Sequence, residues 1–510
     1  MPIIIPGFKG GIANSIFDPL SRQTYQSANG LDVFTYPNIL VPHYAIANDV
    51  TDKTVNNIKL NFFYKGSDGN GYFKGFDTAA GTTLTIWDAG AGALGSTVSL
   101  AAETVATGAG GAHGMVEFLS NLWLFQTSSI IQRFDFSSIT AGVVSTVSDT
   151  APIFVHEGLA KMFYTVSAYQ IGSSADITPA NTAVITFDNS ISIVQMAPLS
   201  QFVAIGLNKK NSSGPSQIAI WDGSSSTLDD LVSLGDTGIQ SVVNVNGEIY
   251  CITSTNPHGW GSKNLIRIYK LERGQMRMKK ELDLQATGTG AVTVAPSAVA
   301  VKGSTIYFGI STNVTAASMT IDNGVFAYDT VQNILTLDRV TSDTSAINIT
   351  SIAFNGGAMV VTWYDGTDYH LSHVVSSPSV SSLGKYISNA FPLNNGRPDT
   401  IKRILMLHKP LPASCGFTVK IKHIGHYPIG GSVASEDSFA SLLTPQGNSV
   451  TSGFTQSTNN AAYTIIENND KFKEARFAQL EIDWDEINSV DAASIMFPIF
   501  IDTVGGHDKI

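Results

Sequence analysis

Gly324 to Thr330 reads GVFAYDT: an alternating apolar run that ends on the aromatic Tyr328 and stops at Asp329. The same cadence recurs along the chain. YFKGFDT carries it to Asp77, IIQRFDF to Asp135, AVITFDN to Asp188 and QIAIWDG to Asp222, while LIRIYKL has Lys270 in the acidic position. A longer apolar run, often introduced by a Gly or Asn turn, precedes each one. LSNLWLFQ comes before IIQRFDF, LSQFVAIGL before QIAIWDG, VNGEIYCIT before LIRIYKL and VKGSTIYFGI before GVFAYDT. IKLNFFYKG, HEGLAKMFYTV and FNGGAMVVTW (before DYHLSHVV) complete seven units between about residues 58 and 383. Their ends fall near 77, 135, 188, 222, 270, 329 and 374, with spacings of 34 to 59 residues.

A period of this size, with about four short strands per unit, marks a β-propeller. One twisted four-stranded sheet cannot bury both of its faces. Radial packing buries them against neighbouring blades, and closing the ring removes the two end faces. Runs such as SQFVAIGL then belong to strands buried on both sides. GVFAYDT reads as the third strand of a blade, and its Asp falls at a turn, where it can accept bonds from its own backbone. The marks of the named propeller families are missing. IWD at Ile220–Asp222 has no matching Gly-His, Gly356-Gly357 is not repeated in register, and no S-x-D-x-G-x-x-W box occurs.

The ends differ from the middle. Residues 1–55 form an extended N-terminal arm whose scattered apolar residues are too few for a core of their own, so the arm must lie against this chain or a neighbour. From about Pro392 the strands alternate strongly: Ile404 and Leu407, then Phe417, Val419 and Ile421, then Phe477, Leu480, Ile482 and Trp484. The expected fold is all-β: about seven blades over 56–390, followed by a jelly-roll-like β-sandwich over 391–510. SEDSFASLLT, Ser435 to Thr444, is the best helix candidate, with a Ser cap and acids in its first turn.

The chain has 510 residues, 43% hydrophobic and only 14% charged, with a net charge of −11. The acidic balance argues against a nucleic-acid groove, because phosphate binding needs a basic surplus. The densest basic stretch, Lys270 to Lys280, includes Glu272 and reads as a solvated hairpin. Cys251 sits inside an apolar strand and Cys415 at a turn in a different domain, so neither a disulfide nor a CxxC metal site is expected. The first residues lack the charged and apolar regions of a signal peptide, and no apolar run is long enough for a membrane-spanning helix.

Ten histidines are scattered, and the closest pairs, His370 with His373 and His423 with His426, are three apart on strands, hence on opposite faces. There is no HExxH, G-x-S-x-G, P-loop or dinucleotide fingerprint. Candidate paired carboxylates are Asp229 with Asp230, and Asp483 with Asp485 and Glu486. The acids that recur once per blade read as a requirement of the fold. DGNG at Asp68–Gly71 is a hairpin turn rather than a calcium loop. No enzyme activity, cofactor or metal is expected. The candidate exposed contact loop is NPHGWGSKN, Asn256 to Asn264, carrying His258, Trp260 and Lys263. For sugar binding, the aromatics to watch are Trp87, Trp221, Trp260 and Trp363.

Three features carry a resemblance. MPIIIPGFKGGIA followed by GLDVFTYPNIL resembles the arm that begins many tailed-bacteriophage structural proteins. The low-charge, Ser/Thr/Gly/Ala-rich propeller is similar to phage tail and nozzle components. IKRILMLHKPLPASCGFTVKIKH followed by ARFAQLEIDW resembles the sandwich that follows the propeller in such proteins. The resemblance implies a virion protein of the tail or distal adsorption apparatus, assembled with copies of itself and other tail proteins. A carbohydrate-binding or carbohydrate-active propeller that contacts host surface glycan is the alternative.

Overall fold

A computed structural model describes residues 3–13, 23–36, 38–43, 46–48, 58–65, 71–77, 81–88, 93–99, 115–125, 130–134, 139–145, 153–178, 182–210, 214–255, 265–284, 292–312, 324–340, 348–355, 358–364, 369–374, 384–394, 397–412, 415–424, 440–442, 450–451, 456–458, 461–467, 475–486 and 493–504. These residues divide into two compact units. One comprises Asn48–Val325 and Asp343–Val374; the other comprises Met1–Ala47, Phe326–Ser342 and Val375–Ile510.

Among the described residues seven four-stranded sheets follow one another, six of them meanders in chain order. Their first strands are Ile58–Lys65, Met115–Phe118, Ile153–His156, Ile191–Leu199, Ile239–Val245, Val299–Lys302 and Asn348–Asn355. Each first strand packs on the next, and Asn348–Asn355 packs back on Ile58–Lys65. The ring is therefore closed, and the chain forms a seven-bladed propeller. The seventh blade takes its fourth strand, Ile46–Asn48, from the region ahead of the first blade. A unit boundary falls inside this strand, and another falls inside Gly324–Asp329 of the sixth sheet.

Local chemistry fixes the first hairpins of the second and fifth blades. Val245 pairs with Glu248 across Asn246-Gly247, whose φ values are 52° and 88°. Phe118 pairs with Asn121 across Leu119 and Ser120, at 51° and 56°. Two consecutive left-handed residues are what a two-residue turn between right-twisted strands requires, and Asn-Gly supplies them without steric cost. The second strands then run through the interior. Phe202–Lys209 is buried on both faces for five consecutive residues, as the SQFVAIGL run predicts. One face of the fourth blade joins Val203, Ile205 and Trp221 to Phe163 and Ile171 of the third. The other joins Ala204 and Ile218 to Val242 and Cys251 of the fifth. Uncharged side chains tie blade to blade: the Gln195 carbonyl accepts from Ser241 Oγ at 2.7 Å and from the Val242 amide at 2.8 Å. At Gly309 a methyl group would fall inside the Ile349 side chain, so the sixth and seventh blades meet there at backbone distance.

The other unit holds two sheets that face each other. In one, Ile495–Thr503 and Ile401–His408 pair at the centre and Ala461–Glu467 lies outside them. In the other, Phe477–Glu486 pairs with Gly416–Ile424 and with Lys385–Ser388. Phe497 of the first sheet meets Tyr386 of the second edge to face at 5.6 Å, and His408 meets Phe417 likewise at 5.6 Å. His408 is fully buried, and burial lowers its pKa. This is the expected sandwich, with two corrections to the expected boundaries. Lys385–Ser388 belongs to it, ahead of the expected start at 391. So do the strands of the N-terminal arm: Ile3–Ile5 and Ile39–Pro42 pair with Ile495–Thr503, and Thr24–Asn29 pairs with Lys385–Ser388. The arm lacks a core of its own because its apolar residues complete this one.

The arm also packs on Ile334–Val340. Gly11, at φ +78°, lies so close that an added methyl would stand 3.0 Å from the Leu335 carbonyl oxygen. Asp338 is buried there, 3.0 Å from His43 Nε2 and 3.2 Å from Arg339 Nε. Burial alone would raise its pKa; His43 and Arg339 hold it down at about 2. A third correction concerns the expected helix at Ser435–Thr444. Ala440–Leu442 is a strand paired with Val419–Ile421, so tertiary pairing overrides a weak local propensity.

Candidate functional site

The expected contact loop with His258, Trp260 and Lys263 lies outside the described residues. It connects the second and third strands of the fifth blade, Glu248–Thr255 and Leu265–Glu272.

Two of the tryptophans relevant to sugar binding are core residues. Trp221 is fully buried, donates its indole N–H to the Ser225 carbonyl at 2.8 Å and meets Phe163 edge-on at 5.5 Å. Trp363 is 1% exposed. Neither offers a face to a sugar. Trp87 lies near the end of the third strand of the first blade, Gly81–Asp88.

Asp188, Asp222 and Asp329 do the work expected of turn residues, and Asp135 lies outside the described residues. Asp329 Oδ1 accepts from the amides of Val331 at 2.9 Å and Gln332 at 2.7 Å. Asp222 Oδ1 accepts from Ser224 at 2.8 Å and Ser225 at 2.7 Å, and the two amides hold its pKa below the ordinary value. The sequence register needs correction at two blades. Asp77 ends a second strand, and the third-strand position of the first blade is Asp88, in Trp87-Asp88. Asp188 follows the fourth strand of the third blade, where it accepts from the Ser190 amide at 2.8 Å. The acid after the third strand is Asp176, which accepts from the Thr178 amide at 2.7 Å. Second, third and fourth strands alternate alike, so an aromatic followed by Asp does not distinguish them. We expect Asp329→Ala to destabilise the protein by about 1 kcal/mol, the scale of a lost cap, and Asp329→Asn to lose less. Urea unfolding of the two variants measures both; equal stability of Asp329→Ala and wild type would contradict the turn role.

The carboxylate pairs are divided. Asp229 and Asp230 are both exposed, and Asp230 accepts from the amide of Leu231 at 2.8 Å. Asp483 stands on the outward side of the second sandwich sheet beside Glu481, and the Lys420 ammonium donates to both. Burial raises the pKa of Glu481 while Lys420 opposes the rise. The side chains of Asp485 and Glu486 lie outside the description. The basic hairpin is partly neutralised: Lys270 pairs with Glu248 and Lys279 with Glu272, each at 2.7 Å.

The sequence gives no hint of the most elaborate polar cluster. Asp236, 8% exposed, precedes the fifth blade. Its Oδ2 accepts from Thr253 Oγ1 at 3.1 Å, Tyr269 Oη at 3.0 Å and Arg267 Nη1 at 3.3 Å. Arg267 Nε donates to Glu281 at 2.8 Å. Burial, together with Asp236, pushes Tyr269 up to about 12. The alternating apolar pattern of Leu265–Glu272 conceals Arg267 and Tyr269 as ordinary strand residues. Among the described residues, no three His, Cys, Asp or Glu side chains stand close enough to hold a metal ion. These groups bind one another and the backbone, and the work they do is to hold strands and turns in place.

No protein-family model matches the chain, and no curated protein matches its sequence. Solved structures do. The Pan2 WD40 domain of Neurospora crassa is 7% identical with a TM-score of 0.42, over 64% of this chain and 92% of that one. A chain of a mitotic checkpoint complex is 14% identical with a TM-score of 0.38, over 71% and 97%. The exo-beta-1,3-galactanase of Phanerochaete chrysosporium is 11% identical with a TM-score of 0.29, over 77% and 96%. At these scores none carries an argument, and the propeller stands on the closed circuit of its own first strands.

Proposed function

We propose that this chain is a structural component of a tailed-phage virion, in the tail or distal adsorption apparatus, where it assembles with copies of itself and other tail proteins. One observation carries the scaffold half of the reading. The acids that a propeller enzyme would turn toward its axis instead cap their own turns, as Asp176, Asp222 and Asp329 do. The virion half rests on the resemblance of the arm, the low-charge ring and the appended sandwich to phage tail proteins. The burial of Trp221 and Trp363 gives the glycan alternative no support.

The test is a count. Particles released from cells that carry the gene are banded on a density gradient, and their proteins are quantified by mass spectrometry. We expect this chain at a fixed number of copies, more than one, per particle. Its absence from banded particles, while abundant in the lysate, would overturn the reading.

A further inference from the structure

Two acids and one lysine share a buried place on the second sandwich sheet. Along Phe477–Glu486, Leu480, Ile482 and Trp484 face the other sheet, so Glu481 and Asp483, two residues apart, share the opposite face. Charged groups on such a face are ordinarily solvated. These are not: Glu481 is 5% exposed and Asp483 8%. Lys420, on the neighbouring strand Gly416–Ile424, stands directly opposite Glu481 in the register. Asp483 is its diagonal neighbour, within reach of a long side chain. The Lys420 ammonium donates to Glu481 Oε1 at 2.9 Å and to Asp483 Oδ2. On the third strand, Lys385 lies opposite Asp483 and Ile387 opposite Glu481. Asp483 Oδ1 is buried with no hydrogen-bond partner among the described residues. A bare carboxylate oxygen in that position has lost its water and gained nothing in exchange. An amide oxygen there would carry no full charge.

We propose that Lys420 and Asp483 condense to an isopeptide bond, with Glu481 relaying a proton. This modification goes beyond the virion reading and stands apart from it. In water an ammonium and a carboxylate do not condense, because solvation holds both in their unreactive ionic forms. Three features change that here. Burial disfavours charge, which brings the neutral amine and acid forms of the pair within reach. The register holds the lysine nitrogen against the carboxyl group, and positioning of this kind is equivalent to a concentration of about 10⁵–10⁸ M. Burial, together with Asp483, raises the Glu481 pKa against the pull of Lys420, which makes Glu481 a stronger base. Burial also pulls the Lys420 pKa down, but its bonds to the two acids hold it above the ordinary value. The protons of the ammonium must therefore pass to those acids.

Lys420 gives one proton to Asp483 Oδ2 along their hydrogen bond. The amine nitrogen then attacks Cγ. As the C–N bond forms, Glu481 Oε1 takes a second proton from the nitrogen and passes it to Oδ2. The C–Oδ2 bond breaks and Oδ2 leaves as water. Oδ1 remains as the amide oxygen, and Glu481 ends as it began. No oxidant or other reactant is needed. The bond ties two paired strands together through residues 63 positions apart.

The test is the mass of the full chain, folded and then denatured. We expect it to fall one water, about 18 Da, below the mass its sequence specifies. Trypsin should release residues 404–422 joined to residues 477–509, uncut after Lys420. Lys420→Arg keeps the positive charge without the amine and should restore the full mass. Glu481→Gln keeps the shape and should slow bond formation at least about 100-fold, followed from synthesis in a cell-free reaction. If Lys420→Arg fails to fold, the joined peptide of the wild-type chain decides. A folded wild-type chain at its full mass overturns the proposal. So does a loss of water that survives in Lys420→Arg. Glu481→Gln that links as fast as wild type overturns the relay. Neither outcome bears on the copy number in banded particles.

Discussion

Removing residues 1–43 should abolish the folding of the sandwich rather than release a free arm. Phe8, Tyr25, Leu31, Val33 and Leu40 are all 0% exposed. Phe8 meets Phe497 at 5.3 Å, and Tyr25 meets Tyr386 at 5.9 Å. Losing one such side chain costs about 2–5 kcal/mol. Five together, at about 10–25 kcal/mol, match or exceed the roughly 5–15 kcal/mol that separates a typical folded domain from its unfolded state. The truncation also strips three pairing strands from Ile495–Thr503 and Lys385–Ser388, leaving open sheet edges that invite aggregation. Calorimetry of the full chain should therefore contain a transition that the truncated chain lacks, and the truncated chain should bind a hydrophobic dye. A soluble truncated chain with every transition of the full one would show that the arm is dispensable. Phe8→Ala, a single cavity at the inter-sheet contact, should cost about 3–5 kcal/mol in the same transition.

Asp236→Ala should be the most damaging single substitution in the ring. It removes one carboxylate that serves a hydroxyl, a phenol, a guanidinium and, through Oδ1, the amide of Thr237 at 2.8 Å. Tyr269 is 7% exposed and Thr253 fully buried, so water cannot readily replace the lost acceptor. Breaking a buried ion pair from one side costs about 3–5 kcal/mol, because the partner left behind keeps its desolvation without its attraction. Asp236→Asn keeps the shape and one acceptor oxygen and should cost less. The fall in the urea midpoint at constant slope reads the loss. Asp236→Ala within about 1 kcal/mol of wild type would mean that Arg267 and Tyr269 find other partners. In Asp236→Ala the tyrosine titration near pH 12 should also move down, since the negative charge that disfavours the phenolate is gone.

The ring was legible in the sequence because its signals are local. An Asn-Gly turn, a doubly buried second strand and an Asp that caps the next turn each lie within ten residues, and each recurs. Register was less legible, since the aromatic-Asp signature cannot distinguish Asp77 at the end of a second strand from Asp88 at the end of a third. The arm was illegible for the opposite reason. Ile3–Ile5 looks like an apolar fragment until its partners, Ile499 to Ile501, are known, and nothing local announces a pairing across most of the chain. The Asp236 cluster hides similarly: Thr253, Arg267 and Tyr269 converge only because three segments pair in register.

The pairing of the first strands with the last also sets a timetable. Thr24–Asn29 and Ile39–Pro42 leave the ribosome several hundred residues before their partners Lys385–Ser388 and Ile495–Thr503. At roughly 5–20 residues per second, the wait is on the order of twenty seconds to a minute and a half. All seven first strands of the ring emerge during that interval, whereas the sandwich waits for the later of its paired strands. Throughout the wait Phe8, Tyr25 and Leu31 are without the neighbours that bury them in the finished fold. The nascent chain thus carries an adhesive segment ahead of its partners, and a slower ribosome would prolong its exposure.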